Sequence, residues 1–204
     1  MALAAASGVP VWAQSASERS VHLLVGYAPG GPVDAMARIF APLFAKELGQ
    51  PVVVENKPGA GGTVGAAQVA KSAADGYTLL IHSSGHVVNP SLYPKLSYDT
   101  LKDFDGITTL AALPNVLVVS PSKGYKDVAD LVAQVKAKPG AFQYGSAGNG
   151  SATHMNAEQF RVAAGIQALH VPFRGTPEAI TETIAGRIDW FFAPLVSALP
   201  LIKD

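Results

Sequence analysis

Two glycine loops in this sequence stand where backbone amides can take hold of an anion. Gly30-Gly31 follows an apolar, β-prone run and opens a helical pattern, and Asn149-Gly150-Ser151 does the same in the second half. The N–H groups at a helix start have no intrahelical acceptor, and the helix dipole adds partial positive charge there. Two such starts, at matching strand ends, make an anion site without Lys or Arg. Taken singly, either loop is equally a tight turn that glycine permits. Asp34 lies four residues beyond Gly30, where it caps free amides or holds a water against a ligand. His82, Ser83, Ser84 and His86 cluster after another β-prone run. They invite a serine–histidine reading, yet no G-x-S-x-G elbow is present, and turn or lining chemistry accounts for them better. His154 stands alone at a helix start, and the histidines show no metal-ligand spacing, so no metal is expected. Arg174, before Gly175-Thr176, is the one Lys or Arg in the loops 29–33, 83–86, 146–151 and 174–176.

The run Gly59-Ala60-Gly61-Gly62-Thr63-Val64-Gly65 looks like a dinucleotide fingerprint only on the surface. Counted from Gly59, the third glycine of G-x-G-x-x-G falls on Val64, and no G-x-x-x-x-G-K-[ST] exists. No nucleotide or other cofactor is expected.

The elements that must position these loops alternate between strand and helix. Residues 21–28, 52–55, 77–82, 115–120, 142–145, 168–171 and 188–193 read as strands. Helical patterns follow most of them. Met36, Ile39, Phe40, Leu43, Phe44 and Leu48 predict one buried stripe, closed by Gly49 and interrupted by Pro42, where a kink or break is expected. Further helices are predicted over 63–73, 127–138 and 153–164, with a start at Thr176-Pro177-Glu178 and another at 197. Residues 89–105 read as turn-rich, with short helices at best. Such alternation argues an α/β fold with parallel sheets. The strand at 115–120 lacks a comparable preceding helix and reads as a crossing between two lobes. Ligands bind outside the carboxyl ends of strands in open α/β sheets, which selects the loops 29–33, 83–86, 146–151 and 174–176.

Composition narrows the classes further. The 204 residues carry fifteen basic and fifteen acidic side chains, no cysteine, and a charged fraction of only 15% against 49% hydrophobic. That excludes a disordered chain, a disulfide scaffold and thiolate chemistry, and the lack of any basic run excludes a nucleic-acid partner. Residues 1–16 are small and apolar, with Val11 and Ala13 at the −3 and −1 positions of a signal-peptidase cut before Gln14. Residues 1–20 therefore read as a signal-peptide remnant or a disordered leader, and the protein as exported.

An ordered set of motifs now resembles one known family. Val25-Gly26-Tyr27-Ala28-Pro29-Gly30-Gly31 with Asp34 is similar to the first-strand motif of the substrate-binding proteins of tripartite tricarboxylate transporters, the Bug family. So are residues 51–62 (PVVVENKPGAGG), 75–80 (DGYTLL), 89–98 (NPSLYPKLSY), 115–121 (NVLVVSP), 144–151 with His154, and 170–175 (HVPFRG). The resemblance implies a two-lobed periplasmic-binding-protein fold of the Venus flytrap kind, type II-like. It implies a periplasmic, monomeric receptor, not an enzyme, that captures a small carboxylate (a di- or tricarboxylate, an amino acid or an aromatic acid) and delivers it to membrane transporter subunits. Carried over by motif, the ligand-binding residues are Ala28, Gly30, Gly31, Asp34 acting through ordered water, Ser83, Ser84, Asn149, Gly150, Ser151, Thr153, Arg174 and Gly175. The implied lobes are 21–118 and 119–204.

Two departures from the family pattern stand out. Pro32 takes a position often held by a small hydroxyl residue, which removes one donor side chain and one N–H. The family's chains also continue past this point, so the resemblance implies a C-terminal part missing from this sequence. The alternatives are a small serine hydrolase using Ser83 or Ser84, and a non-functional remnant.

Overall fold

A computed structural model describes residues 19–202. The leader expected over residues 1–20 therefore lies almost wholly outside the described residues. Two sheets form. The first has three parallel strands in the order β2–β1–β3: β1 (Val21–Val25), β2 (Val52–Asn56) and β3 (Thr78–Ile81). The second has four, in the order β4–β7–β5–β6: β4 (Asn115–Val118), β5 (Gln143–Ser146), β6 (Leu169–Pro172) and β7 (Trp190–Pro194). The helices are α1 (Pro32–Leu48), α2 (Thr63–Ala70), α3 (Gly85–Leu92), α4 (Val128–Ala137), α5 (Ala152–Ala164), α6 (Thr176–Ile184) and α7 (Leu195–Ile202).

Alternation along β7 divides the second core into two layers, because successive side chains leave opposite faces of a strand. Trp190 meets Tyr144, Leu131, Val135 and Ala157 on the α4 and α5 side. Phe191 and Ala193 meet Ala179, Ile180 and Ala198 on the α6 and α7 side. In the first sheet, Val21, Leu23 and Val25 bury their side chains against α1.

The expected α1 stripe is corrected. Ile39, Leu43 and Leu48 are more than half exposed, while Val33, Ala37, Ala41 and Phe44 face the sheet. Both sets fit helical spacing. Small side chains win the inner face because they let the helix backbone approach the strands closely. Pro42 causes no break, and α1 runs through it. Its position is exposed, so the carbonyl it leaves without a donor can turn to water.

Three other readings change. Residues 85–92, expected as a loop end and a turn-rich stretch with short helices at best, form the two-turn α3, which begins directly behind Ser84. Thr176 is the first residue of α6 rather than its cap, and the capping position falls to Gly175. The β4–β7 pair is antiparallel. β4 enters its sheet from an irregular stretch, not from a helical crossover, so nothing imposes the parallel direction of a βαβ unit.

Candidate functional site

The carboxyl ends of both sheets face one cleft of about 240 Å³. Its first wall comes from the end of β1 (Gly26, Tyr27), the 3-10 turn Ala60–Gly62 with Gly59, and Tyr93 after α3. The second wall comes from the ends of β5 and β6: Ala147, Gly148 and Asn149, then Pro172, Phe173 and Arg174. No Asp or Glu is among these residues, and Arg174 is the one Lys or Arg.

Close approach explains the glycines of the first wall. A Cβ on Gly61 would lie 1.9 Å from the Asn149 carbonyl oxygen, and φ there is +64°. A Cβ on Gly62 would lie 2.1 Å from His82 Nε2. The Tyr93 hydroxyl donates to the Asn149 carbonyl at 3.0 Å. The Tyr27 hydroxyl shares a 2.7 Å hydrogen bond with Ser83 Oγ. Burial pushes the Tyr27 phenol up to about 12, so at neutral pH it keeps its proton.

Asn149 and Arg174 therefore line the cleft among the residues expected to bind. Gly150 does not aim its amide at the cleft centre, as two converging glycine loops would suggest. Its N–H donates to His154 Nδ1 at 3.1 Å. Ser151 Oγ accepts from the His154 N–H, and Thr153 Oγ1 accepts from the Ala147 N–H at 2.9 Å. Both hydroxyls are buried and brace the loop.

In the first-strand motif, Asp34 is buried and takes three donors. Gly30 N–H reaches Oδ2 at 2.9 Å, Arg38 Nε reaches it at 3.0 Å, and Asn56 Nδ2 reaches Oδ1 at 3.0 Å. Burial pushes the carboxyl up, but Arg38, the Gly30 amide and Asn56 outweigh it and hold Asp34 below the usual carboxylate range. The Gly30 amide is thereby occupied. Gly31 makes a long 3.4 Å bond to the Ala28 carbonyl. Gly30 also borders a second hollow, of about 280 Å³, between the start of α1 and helices α6 and α7. Ala28 and Gly175 touch across the lobes: a Cβ on Gly175 would meet Ala28 Cβ at 3.0 Å.

Ser83 serves Tyr27 and the Gly85 N–H, and Ser84 is exposed with no capping bond. Neither hydroxyl meets an imidazole among the described hydrogen bonds, which leaves the hydrolase reading without support. Burial drives the His82 imidazole down to about 4. Sequence reasoning missed Tyr27, Tyr93 and the 59–62 loop as cleft wall. The usable signal for Tyr27 is its place just past a strand's carboxyl end.

Comparison with known proteins identifies the family and the fold. Residues 36–204 match the profile of the family described as TctC, tripartite tricarboxylate transporter family receptor. The chain is 38% identical to protein BugT of Bordetella pertussis over 179 residues, 87% of this chain and 55% of that protein. Among solved structures, MatC of Rhodopseudomonas palustris with bound malate superposes with a TM-score of 0.85 at 33% identity, covering 91% of this chain and 63% of that one. Rpa4515 of the same organism, with adipate, gives 0.86 at 31% identity, covering 93% and 63%. The shared architecture is the two-lobed periplasmic-binding-protein fold. This chain spans about half the length of the curated relatives it matches.

Proposed function

The chain belongs to the tripartite tricarboxylate transporter receptor family, and from that premise we propose that it is an exported, periplasmic solute-binding receptor for a small dicarboxylate. The observation that carries the reading is the cleft itself. It lies between two strand-end surfaces, is walled by glycine backbone and two tyrosine hydroxyls, holds no acid, and carries one cation at its mouth. Such a wall favours a negative, compact guest over a neutral or cationic one. Its volume suits a chain of about four to six carbons, at the small end of ligand pockets. Relatives with bound malate and adipate fall in that range. None of the described helices is long and apolar enough to cross a membrane, which fits a receptor that hands its ligand to separate transporter subunits.

In this reading the protein does no chemistry. Tyr27 and Tyr93, whose hydroxyls bond Ser83 and the Asn149 carbonyl, brace the walls, Asn149 and the 59–62 loop offer backbone, and Arg174 draws the anion in. The lobes act as monomeric jaws, split near residue 118. A thermal-shift screen against malate, adipate, citrate, glutamate and benzoate tests it. A dicarboxylate at 100 times its Kd stabilises by about 2.7 kcal/mol, and the shift should vanish for the matching diamide. No shift with any acid, or an equal shift with the diamide, would remove the proposal.

A further inference from the structure

Two glycine amides of the loop 148–150 are tied to imidazoles, one directly and one through a serine hydroxyl. The Gly150 N–H donates to His154 Nδ1 at 3.1 Å. The Gly148 N–H donates to Ser146 Oγ at 3.1 Å, and that oxygen lies 2.6 Å from His170 Nε2. The two imidazoles stack, with centroids 4.0 Å apart and planes 15° from parallel. One stacked pair thus ends both hydrogen-bond chains that leave the loop 148–150. Between those two amides stands Asn149, which lines the cleft and receives the Tyr93 hydroxyl from the other lobe.

The proton inventory makes this loop conditional. A ring nitrogen that accepts an N–H carries no proton, so His154 is neutral with its hydrogen on Nε2. A proton added at Nδ1 would face the Gly150 N–H, donor against donor. His170 is more tolerant, because its protonated Nε2 could still donate to Ser146 Oγ. We propose that His154 and His170 are positioning residues that hold the loop 148–151 in its cleft-lining shape only while His154 Nδ1 is free of a proton, so that acidification releases Asn149 and weakens carboxylate capture. The inference rests on the cleft being the carboxylate site.

Burial, rather than the surrounding charge, favours a neutral stack. On α5, Glu158 is the nearest acid and favours the imidazolium of both histidines, but it is already engaged by Arg161 and by the Tyr144 hydroxyl from β5. Tyr144 also stacks on the far face of His170, with Trp190 of β7 behind it. From the first lobe, Tyr93 and the uncharged Asn89 border Gly150. Burial lowers His154, and burial together with His154 drives His170 down to about 4. Two stacked cations this close repel, so protonation of one opposes protonation of the other.

The test needs no ligand for its first arm. In ¹⁵N-labelled wild-type protein titrated from pH 7.5 to 4, the Gly150 amide resonance should move with the ring carbon of His154 and share its midpoint. A Gly150 amide that stays still while His154 protonates overturns the inference. In the second arm, His154→Phe keeps the stack and removes the acceptor. Malate affinity at pH 7.5 should fall about tenfold, and its further loss on acidification should flatten. A variant with the wild-type pH profile overturns the inference as well. If wild-type protein binds neither malate nor adipate, the receptor reading fails, while the amide titration still decides the role of the histidines.

Discussion

The Tyr93 hydroxyl and the Asn149 carbonyl meet at 3.0 Å, and they come from different lobes. It is a side chain-to-backbone bond that spans the cleft, so its making and breaking reports closure. Tyr93→Phe removes the donor and little else. We expect malate affinity to fall roughly 3- to 10-fold, the worth of one neutral hydrogen bond, with urea unfolding unchanged. Calorimetric titration beside the unfolding curve checks this, and equal affinity would place the closing force elsewhere.

Gly61 presses on the same carbonyl from the first wall. Gly61→Ala drives a methyl to within 1.9 Å of the Asn149 oxygen, whereas Gly76→Ala meets nothing within 4 Å; both glycines have positive φ, +64° and +79°. Each substitution carries a backbone penalty of about 1 kcal/mol. Only Gly61→Ala should abolish ligand-induced thermal stabilisation. A ligand response in Gly61→Ala equal to that of Gly76→Ala would show that the lobes do not need to touch there.

Arg174 and Gly150 separate charge from shape. Arg174→Ala should weaken malate binding less than Gly150→Val. The valine would bring its Cβ 2.8 Å from Asn89 Oδ1 at a φ of +78°, distorting the loop that carries Asn149. A larger loss at Arg174, measured by titration at low and high salt, would make the guanidinium the main holder of the anion.

Acid should unfold the protein in two stages. His82 and His170 sit near 4 in the folded state, against about 6.5 unfolded. The unfolded chain therefore binds more protons between those values, and stability is full above pH 6.5 and falls as pH drops toward 4. For His82 the loss approaches about 3 kcal/mol. Below that, Asp34 and Glu158, the latter held near 2, add a second decline as their carboxylates are protonated. Urea midpoints at pH 7.5, 5.5 and 4 check the sign; a midpoint that holds steady or rises from 7.5 to 4 would contradict it.

Asp34 offers a structural control. Asp34→Ala strands the Gly30 amide, Asn56 and Arg38 together, and should lower the thermal midpoint by roughly 5–10 °C. An unaltered midpoint would mean that water replaces the carboxylate without cost.

Much of the fold was legible because helix and strand periods are local. The glycines at 49 and 186 end α1 and α6 through backbone conformations that few other residues adopt, and such signals need no partner. The α1 face was misread because hydrophobic spacing does not report size, and Ala37 and Ala41 win by being small. The cleft was legible in part. Loops 146–151 and 174–176 reach it, as strand ends predict, whereas 29–33 and 83–86 do not line it, and the 59–62 loop was weighed as a nucleotide motif and as part of the family pattern. Its role depends on Asn149, some ninety residues away, and no window of sequence holds that pairing. The engagement of Gly30 by Asp34 and of Gly150 by His154 was equally hidden, since a free amide and a bonded one have the same sequence.

The place of β7 carries a consequence in time. It is the last strand of its sheet along the chain, yet it is threaded between β4 and β5. Asn115 must wait for Pro194, its register partner, before the antiparallel pair can close. At a synthesis rate of about 5–20 residues per second, roughly 4–15 s pass while the hydrophobic strand NVLV has no neighbour. The first sheet can zip as soon as Ile81 clears the ribosome, and β5 can pair with β6, but β4 has no partner until β7 is made. During that interval the nascent chain presents one paired sheet and one unpaired apolar strand, which makes it a client for whatever holds unfolded chains.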